Sequence, residues 1–160
     1  IIAVDPSSKM LKIGERKIQK HNTKSNIFLE EGNAENLKYS NGTFDIVTIG
    51  YGVRNFTNLN NSLNEIYRVL KKDGLLIILE TSLPTNPLMS FFYNIHTKFY
   101  VRLIGKMFSN NSNAYQYLES SAKIFPYGEE FKKILRDANF KDIIEEVKLF
   151  GASTLYISKK

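Results

Sequence analysis

An arginine–asparagine pair, Arg54-Asn55, follows Gly50-Tyr51-Gly52-Val53 and the apolar run Phe44-Asp45-Ile46-Val47-Thr48-Ile49. Such a run reads as a buried strand. In an open α/β sheet, ligands sit at the carboxyl ends of the strands, so the pair is placed to face a pocket. A fixed guanidinium there can stabilise negative charge developing on an oxygen, while arginine cannot serve as a base near neutral pH. The plainer alternative is an ion pair from Arg54 to an acid at the sheet edge. Gly50 and Gly52 let the backbone approach a ligand closely, or simply serve tight turns.

Two further strand ends carry suitable polar groups. Asp5 follows the apolar run Ile1-Ile2-Ala3-Val4. A carboxylate there can accept both hydroxyls of a ribose; it can equally be a helix N-terminal acid or a turn residue. Asn33 and Ala34 follow the short run Ile27-Phe28-Leu29. The Asn33 side chain and the Ala34 backbone can hydrogen-bond an adenine edge, or Asn33 can belong to an ordinary turn. Asp45 lies at the amino end of its strand, away from any such pocket, and reads as structural.

The elements that position these residues follow from periodicity. Pro6-Ser7-Ser8 predicts a helix start. Leu59, Leu63, Ile66, Tyr67 and Leu70 follow helical spacing, Gly74 is expected to close that helix, and Leu75 to Leu79 to form the next strand. Short apolar strands alternating with helices predict an α/β fold with a mostly parallel, doubly wound sheet. After Pro84 and Pro87 an aromatic-rich stretch, Leu88 to Phe108, reads as helical, as does Glu129 to Ala138. It is either an apolar lid over a ligand or an ordinary pair of core helices. Asp142 to Leu149 and Thr154 to Ser158 predict an antiparallel hairpin at the sheet edge. One domain spans residues 1–160, with 84–127 as a lid insertion.

Composition narrows the function classes. At 160 residues and 42% hydrophobic content the chain supports one domain with a real core. It has no cysteine, which excludes disulfides, thiolate metal sites and cysteine nucleophiles. His21 and His96 are the two histidines, and nothing suggests a metal site. The formal net charge of +6 is compatible with nucleic acid, acidic lipid or plain solubility. No run approaches the ~18 apolar residues of a membrane span, and no signal peptide is visible.

Several segments then converge. They are Asp5-Pro6-Ser7-Ser8-Lys9-Met10-Leu11, Gly32-Asn33-Ala34-Glu35, Gly52-Val53-Arg54-Asn55 with Arg68-Val69-Leu70-Lys71-Lys72-Asp73-Gly74, and Tyr115-Gln116-Tyr117-Leu118-Glu119-Ser120-Ser121. Together they resemble the ubiquinone/menaquinone biosynthesis C-methyltransferase family, whose members are class I, S-adenosylmethionine-dependent enzymes. The resemblance runs in order along nearly the whole chain. It implies a Rossmann-like sheet, S-adenosyl-L-methionine as cofactor, and C-methylation of a prenylated hydroquinone ring, most readily demethylmenaquinol to menaquinol. Methylation of another apolar small molecule, and a cofactor-free binding subunit of a quinone-making assembly, are the competing readings.

The resemblance also implies roles. Arg54 and Asn55 would be catalytic, Asp5, Asn33, Ala34 and Gly50 would bind the cofactor, and Tyr115 and Tyr117 would line the substrate site. Part of the family carries a serine at the Gly50 position, so one cofactor contact is missing here. Phe125 stands where some members carry histidine, so no imidazole base is assigned. The family's first strand and glycine-rich loop would precede Ile1. The chain is therefore expected to be the C-terminal part of such an enzyme, to show a gap in its sheet, and to bind cofactor poorly by itself. A lipid-soluble quinol partner, a cytoplasmic location with peripheral contact at the inner membrane face, and a homo-oligomer complete the expectations. Nucleic acid is not expected. Gly50-Tyr51-Gly52 stands where an amino-methylating enzyme would show Asn/Asp-Pro-Pro-aromatic, and cytosine C5 chemistry needs a cysteine.

Overall fold

The computed structural model describes residues 1–20, 26–96, 120–122 and 124–160. Along the chain run β1 (Ile2–Asp5), α1 (Ser8–Lys20), β2 (Phe28–Glu31), β3 (Phe44–Gly50), a 3-10 turn (Val53–Asn55), α2 (Leu59–Val69), β4 (Leu70–Thr81) and α3 (Pro87–His96). After them come α4 (Glu129–Asp137), β5 (Lys141–Lys148), a second 3-10 turn (Leu149–Gly151) and β6 (Ser153–Lys159). The α/β class matches the sequence expectation, as do the strand positions apart from the start of β4.

The described strands form two sheets. β1 and β2 pair in parallel, from Ile2 opposite Phe28 to Asp5 opposite Glu31. The other sheet has the order β3-β4-β6-β5. β3 and β4 are parallel, whereas β4–β6 and β6–β5 are antiparallel. The C-terminal hairpin is thus present, with β6 inside the sheet and β5 at its edge. Among the described residues, β1 pairs with β2 alone and β3 with β4 alone, which leaves one edge of each open. This is the expected sheet gap.

Capping explains where two helices begin. Ser7 precedes α1, and its Oγ accepts from Met10 N at 3.3 Å. Asn58 caps α2 through Oδ1, which accepts from Asn61 N at 3.0 Å. Each satisfies a donor that the first helical turn leaves without a backbone partner.

β4 is the hub of the larger sheet. Along it Leu76, Ile78 and Glu80 are fully buried on one face, as the period of two requires. Leu76 and Ile78 share one buried cluster with Leu63 and Ile66 of α2, Phe131 and Leu135 of α4, and Tyr156 of the neighbouring strand β6. The Phe131 and Tyr156 rings meet edge-on, with centroids 4.8 Å apart. The Tyr156 hydroxyl accepts from Gly128 N at 2.8 Å and so ties the start of α4 to β6. Burial of Tyr156 raises its hydroxyl pKa above the ordinary tyrosine value.

The passage from α2 to β4 differs from the sequence expectation. Gly74 does not close the helix: α2 ends at Val69, and Leu70 already pairs with Phe44. The ladder then jumps to Ile46 opposite Leu75, so Lys71 to Gly74 bulge out, with Asp73 at φ 64°. Leu70 is fully buried, so burial holds the chain in the sheet before the turn residues arrive. A Cβ at Gly74 would lie 2.9 Å from Lys71 O and 3.0 Å from Asp45 O. Asp45 itself pairs with Lys71 Nζ at 2.7 Å on the surface, which agrees with its structural reading.

The close approach at Gly74 predicts that Gly74→Ala destabilises the fold by about 2 kcal/mol, as overpacking does. Thermal melting would show this as a drop of several degrees in midpoint. An unchanged midpoint would mean that the bulge relaxes freely.

Candidate active site

Asp5, Asn33, Gly50 and Arg54 all stand at or just beyond the carboxyl ends of parallel strands: β1, β2 and β3. The smaller sheet brings Asp5 and Asn33 together. Its parallel register ends with Asp5 opposite Glu31, and Gly32 N donates to Asp5 O at 3.3 Å. Gly32 permits this approach, since a Cβ there would lie 2.9 Å from Val4 Cγ1. Asp5 Oδ1 accepts from Ser7 N at 2.7 Å, so the turn reading is true of one of its two oxygens. Asn33 Oδ1 accepts from Glu35 N at 3.0 Å, which leaves its Nδ2 donor as the group to reach a ligand.

The second set lies on the larger sheet. Gly50 ends β3, and a Cβ added there would meet nothing within 4 Å. Packing therefore does not demand glycine at this position, whereas close approach of a ligand would. After Tyr51, at φ 54°, the chain enters the 3-10 turn that carries Arg54 and Asn55.

Arg54 is held by an acid that sequence reasoning missed. Its Nη1 donates to Glu80 Oε1 at 2.5 Å and to Tyr51 O at 2.7 Å. Its backbone N donates to Glu80 Oε2 at 3.2 Å. Side-chain exposure is 10% for Arg54 and 1% for Glu80, so the pair is desolvated. Removing one partner of such a pair typically costs about 3–5 kcal/mol, because the other charge is left buried alone. The ion-pair alternative for Arg54 is therefore realised, with its partner on β4 inside the sheet rather than at the sheet edge. The pair sits at the carboxyl end of the strands, the end at which ligands bind in open α/β sheets. Glu80 ends an apolar strand just as Arg54 follows one, and that shared position was the signal available in the sequence.

The two sets are tied to each other. Glu35 Oε1 accepts from Asn58 N at 2.9 Å, linking the loop after β2 to the loop after β3. Arg68 of α2 reaches back to the same region: Nη1 donates to Tyr39 O at 2.6 Å and Nη2 to Leu37 O at 2.9 Å. Glu65 receives Arg68 Nε at 2.7 Å and Leu37 N at 2.9 Å. The hydrogen bond from Arg68 holds the Glu65 carboxyl below the usual glutamate range. Tyr39 OH donates to Glu30 at 2.8 Å, and burial with that bond pushes its pKa up to about 12, so it remains a donor. Tyr115 and Tyr117, the proposed substrate-lining pair, lie outside the described residues. Of the expected lid, α3 is described, with Leu88 and Phe91 about three-fifths exposed, at 58% and 60%. No helix among the described residues is long and apolar enough to cross a membrane.

Parallel strands with polar groups at their carboxyl ends, closed by an antiparallel hairpin, define a class of fold. It is that of the S-adenosylmethionine-dependent methyltransferases. A methyltransferase structure from Thermotoga maritima, described as a possible histamine N-methyltransferase, superposes with a TM-score of 0.65 at 21% identity. That match covers 99% of this chain and 72% of the other. Within the class, residues 1–160 match the ubiE/COQ5 methyltransferase family, and the chain belongs to it.

Two relatives are described as demethylmenaquinone methyltransferase. One, from Geobacillus sp. (strain WCH70), is 37% identical over 160 residues, covering all of this chain and 68% of the relative. The other, from Staphylococcus carnosus, is 38% identical over 162 residues, again covering all of this chain and 65% of the relative. The chain thus spans about two thirds of the length of the curated relatives it matches.

Family and fold imply S-adenosyl-L-methionine as cofactor. The residues present fit it. Among the described residues, Ser7 N engages one Asp5 oxygen and Glu35 N engages Asn33 Oδ1, so the other Asp5 oxygen and Asn33 Nδ2 suit a ribose diol and an adenine edge, and a Cβ at Gly50 would meet nothing within 4 Å.

The Glu65–Arg68 clamp has a pH dependence of definite sign. A carboxyl whose folded pKa lies below its ordinary 4.5 stabilises the fold fully above that value and loses its contribution as pH falls through the folded pKa. Hydrogen-exchange protection at Leu37 to Asn41 should hold above pH 4.5 and decline below it. Glu65→Gln should remove that dependence. Protection that is flat with pH in the unmodified protein would show that the clamp does not hold the loop.

Proposed function

We propose that the protein of which this chain forms part methylates the ring carbon of a prenylated hydroquinone, converting demethylmenaquinol to menaquinol. The observation that carries this reading is the match of the whole chain, at 37–38% identity, to relatives described by that activity. The arginine fixed at the ligand end of β3 supplies the matching chemistry.

Asp5 would hold the ribose hydroxyls of the cofactor, and Asn33 with the Ala34 backbone would meet its adenine edge. Gly50 would leave room for its close approach. When bound, S-adenosylmethionine supplies a strongly electrophilic methyl group. The ring carbon must in turn be electron-rich, and a hydroquinone carbon is most so when a ring oxygen is ionised. Arg54 would stabilise that oxygen as its charge develops, and Asn55 would help orient it. The proton leaves to water or to a nearby carboxylate, since arginine cannot take it. Alignment of the two carbons and exclusion of water supply most of the remaining rate. An apolar substrate suits the lid, since α3 runs from Pro87 to His96 without a charged residue. The exposed Leu88 and Phe91 would cover the prenylated ring or touch the membrane surface that holds it.

Methyl transfer from labelled S-adenosylmethionine to demethylmenaquinol by the full-length gene product tests the reading. Arg54→Ala should lower kcat by about 10²–10³, the scale for losing one donor to a developing oxyanion. Asp5→Ala should instead weaken cofactor binding by about 10- to 100-fold, the scale for a hydrogen bond to a charged group. An Arg54→Ala enzyme working at the original rate would remove Arg54 from the chemistry. An unmodified enzyme inert toward demethylmenaquinol would remove the substrate.

A further inference from the structure

Glu80 stands where an apolar residue is expected. It follows Leu76 and Ile78 on the buried face of β4 and is itself fully buried. A charge there is costly unless its partners are well placed. Both of its oxygens are engaged. Oε1 accepts from Arg54 Nη1 at 2.5 Å, Thr81 N at 2.8 Å and Thr81 Oγ1 at 3.2 Å, and Oε2 accepts from Arg54 N at 3.2 Å. One carboxylate therefore grips both the backbone and the guanidinium of the same residue.

A second strut completes the support. Tyr51 O accepts from Arg54 Nη1 at 2.7 Å, and Tyr51 takes φ 54° within the loop that presents this carbonyl. The Tyr51 hydroxyl lies 2.9 Å from Ser153 Oγ, at the start of β6. The turn bearing Arg54 is thus anchored to β4 and β6 together. The support engages Nη1 and the backbone N, and it leaves Nε without an acceptor. Arg54 Nε is a buried donor with no partner among the described residues. An unmatched donor on a nine-tenths-buried arginine is costly in a core and useful where an oxygen is to be received.

We propose that Glu80 is a positioning residue: it orients Arg54 so that the Nε edge of the guanidinium, rather than Nη1, faces the reacting ring oxygen, and it offsets the arginine's charge. This inference rests on the ring-methylation reading above. A neutral quinol then enters a site of nearly balanced charge, and the oxygen is stabilised by a directed hydrogen bond rather than by a bare cation. A purely structural pair would hold the loop without setting the acidity of a bound hydroxyl. That difference can be measured.

The test uses the full-length protein, with Glu80→Gln and Glu80→Asp, and the pH dependence of kcat with demethylmenaquinol. Glu80→Gln removes the charge and keeps the shape. It should lower kcat by about 10², the effect of a small misplacement at a reacting centre. It should also shift the acid limb of the profile down by about one pH unit, because an uncompensated cation then faces the hydroxyl. Glu80→Asp keeps the charge but shortens the reach, so kcat should fall while the limb stays in place. Cofactor affinity should be unchanged in both. A Glu80→Gln limb that does not move, or a rate equal to the original, overturns the inference and leaves the methyltransferase reading standing. If Glu80→Gln does not fold, a Glu80→Asp enzyme at the original rate overturns it.

A readout independent of substrate separates the two failures. The Arg54 Nε–H resonance, assigned by its loss in Arg54→Lys, should be protected from exchange in the unmodified protein and lost in Glu80→Asp. The same protection in both proteins overturns the inference even if demethylmenaquinol proves not to be the substrate.

Discussion

A carboxylate on a buried face must find compensating charge or leave the core, and Glu80, near the end of β4, finds Arg54. Much of the site's arrangement follows from that pairing. β4 is held from both sides, by β3 in parallel and β6 in antiparallel pairing, so Glu80 has little freedom. Arg54 is drawn to it through side chain and backbone alike. The tight turn at Val53–Asn55 is the chain's route from the end of β3 to that contact. Val53, buried at 1% exposure, anchors the same turn in the core beneath.

The rest of the site is held by longer polar ties rather than by packing. Glu65 and Arg68 of α2 form a clamp around Leu37 and Tyr39 in the loop after β2. Isolated surface ion pairs contribute little to stability. A guanidinium that also satisfies backbone carbonyls does more, because those groups would otherwise need water. The segment Arg68-Val69-Leu70 thus serves two purposes. Val69 and Leu70 are buried in the core, and Arg68 fixes the loop that carries Asn33. Family membership and the fold agree in class, and Asp5, Asn33, Gly50 and Arg54 stand at or just beyond the carboxyl ends of β1, β2 and β3.

Sequence and structure diverge where a local signal meets a tertiary constraint. Glycine is a helix-stopping residue, and Gly74 was expected to act as one. Burial of Leu70 and its pairing with Phe44 bring the strand in earlier, and Gly74 serves a bulge instead. Asn33 shows a gentler version. Its position after β2 was evident from the sequence, but which of its amide atoms remains for a ligand depends on the turn that engages Oδ1.

The sequence by itself determined the α/β class, the strands and most helices, because short apolar runs and helical spacing are local properties of the chain. It also determined which strand ends carry Asp5, Asn33, Gly50 and Arg54, since each lies within a few residues of its strand. Tertiary structure alone decided what those groups touch. Glu80 is 26 residues from Arg54, and Glu65 is 28 from Leu37. No periodicity couples positions so far apart, and only the folded arrangement of strands, helix and loops brings them within hydrogen-bond distance. Whether Arg54 has an ion-pair partner, and which of its donors remains for a substrate, is a property of the folded sheet.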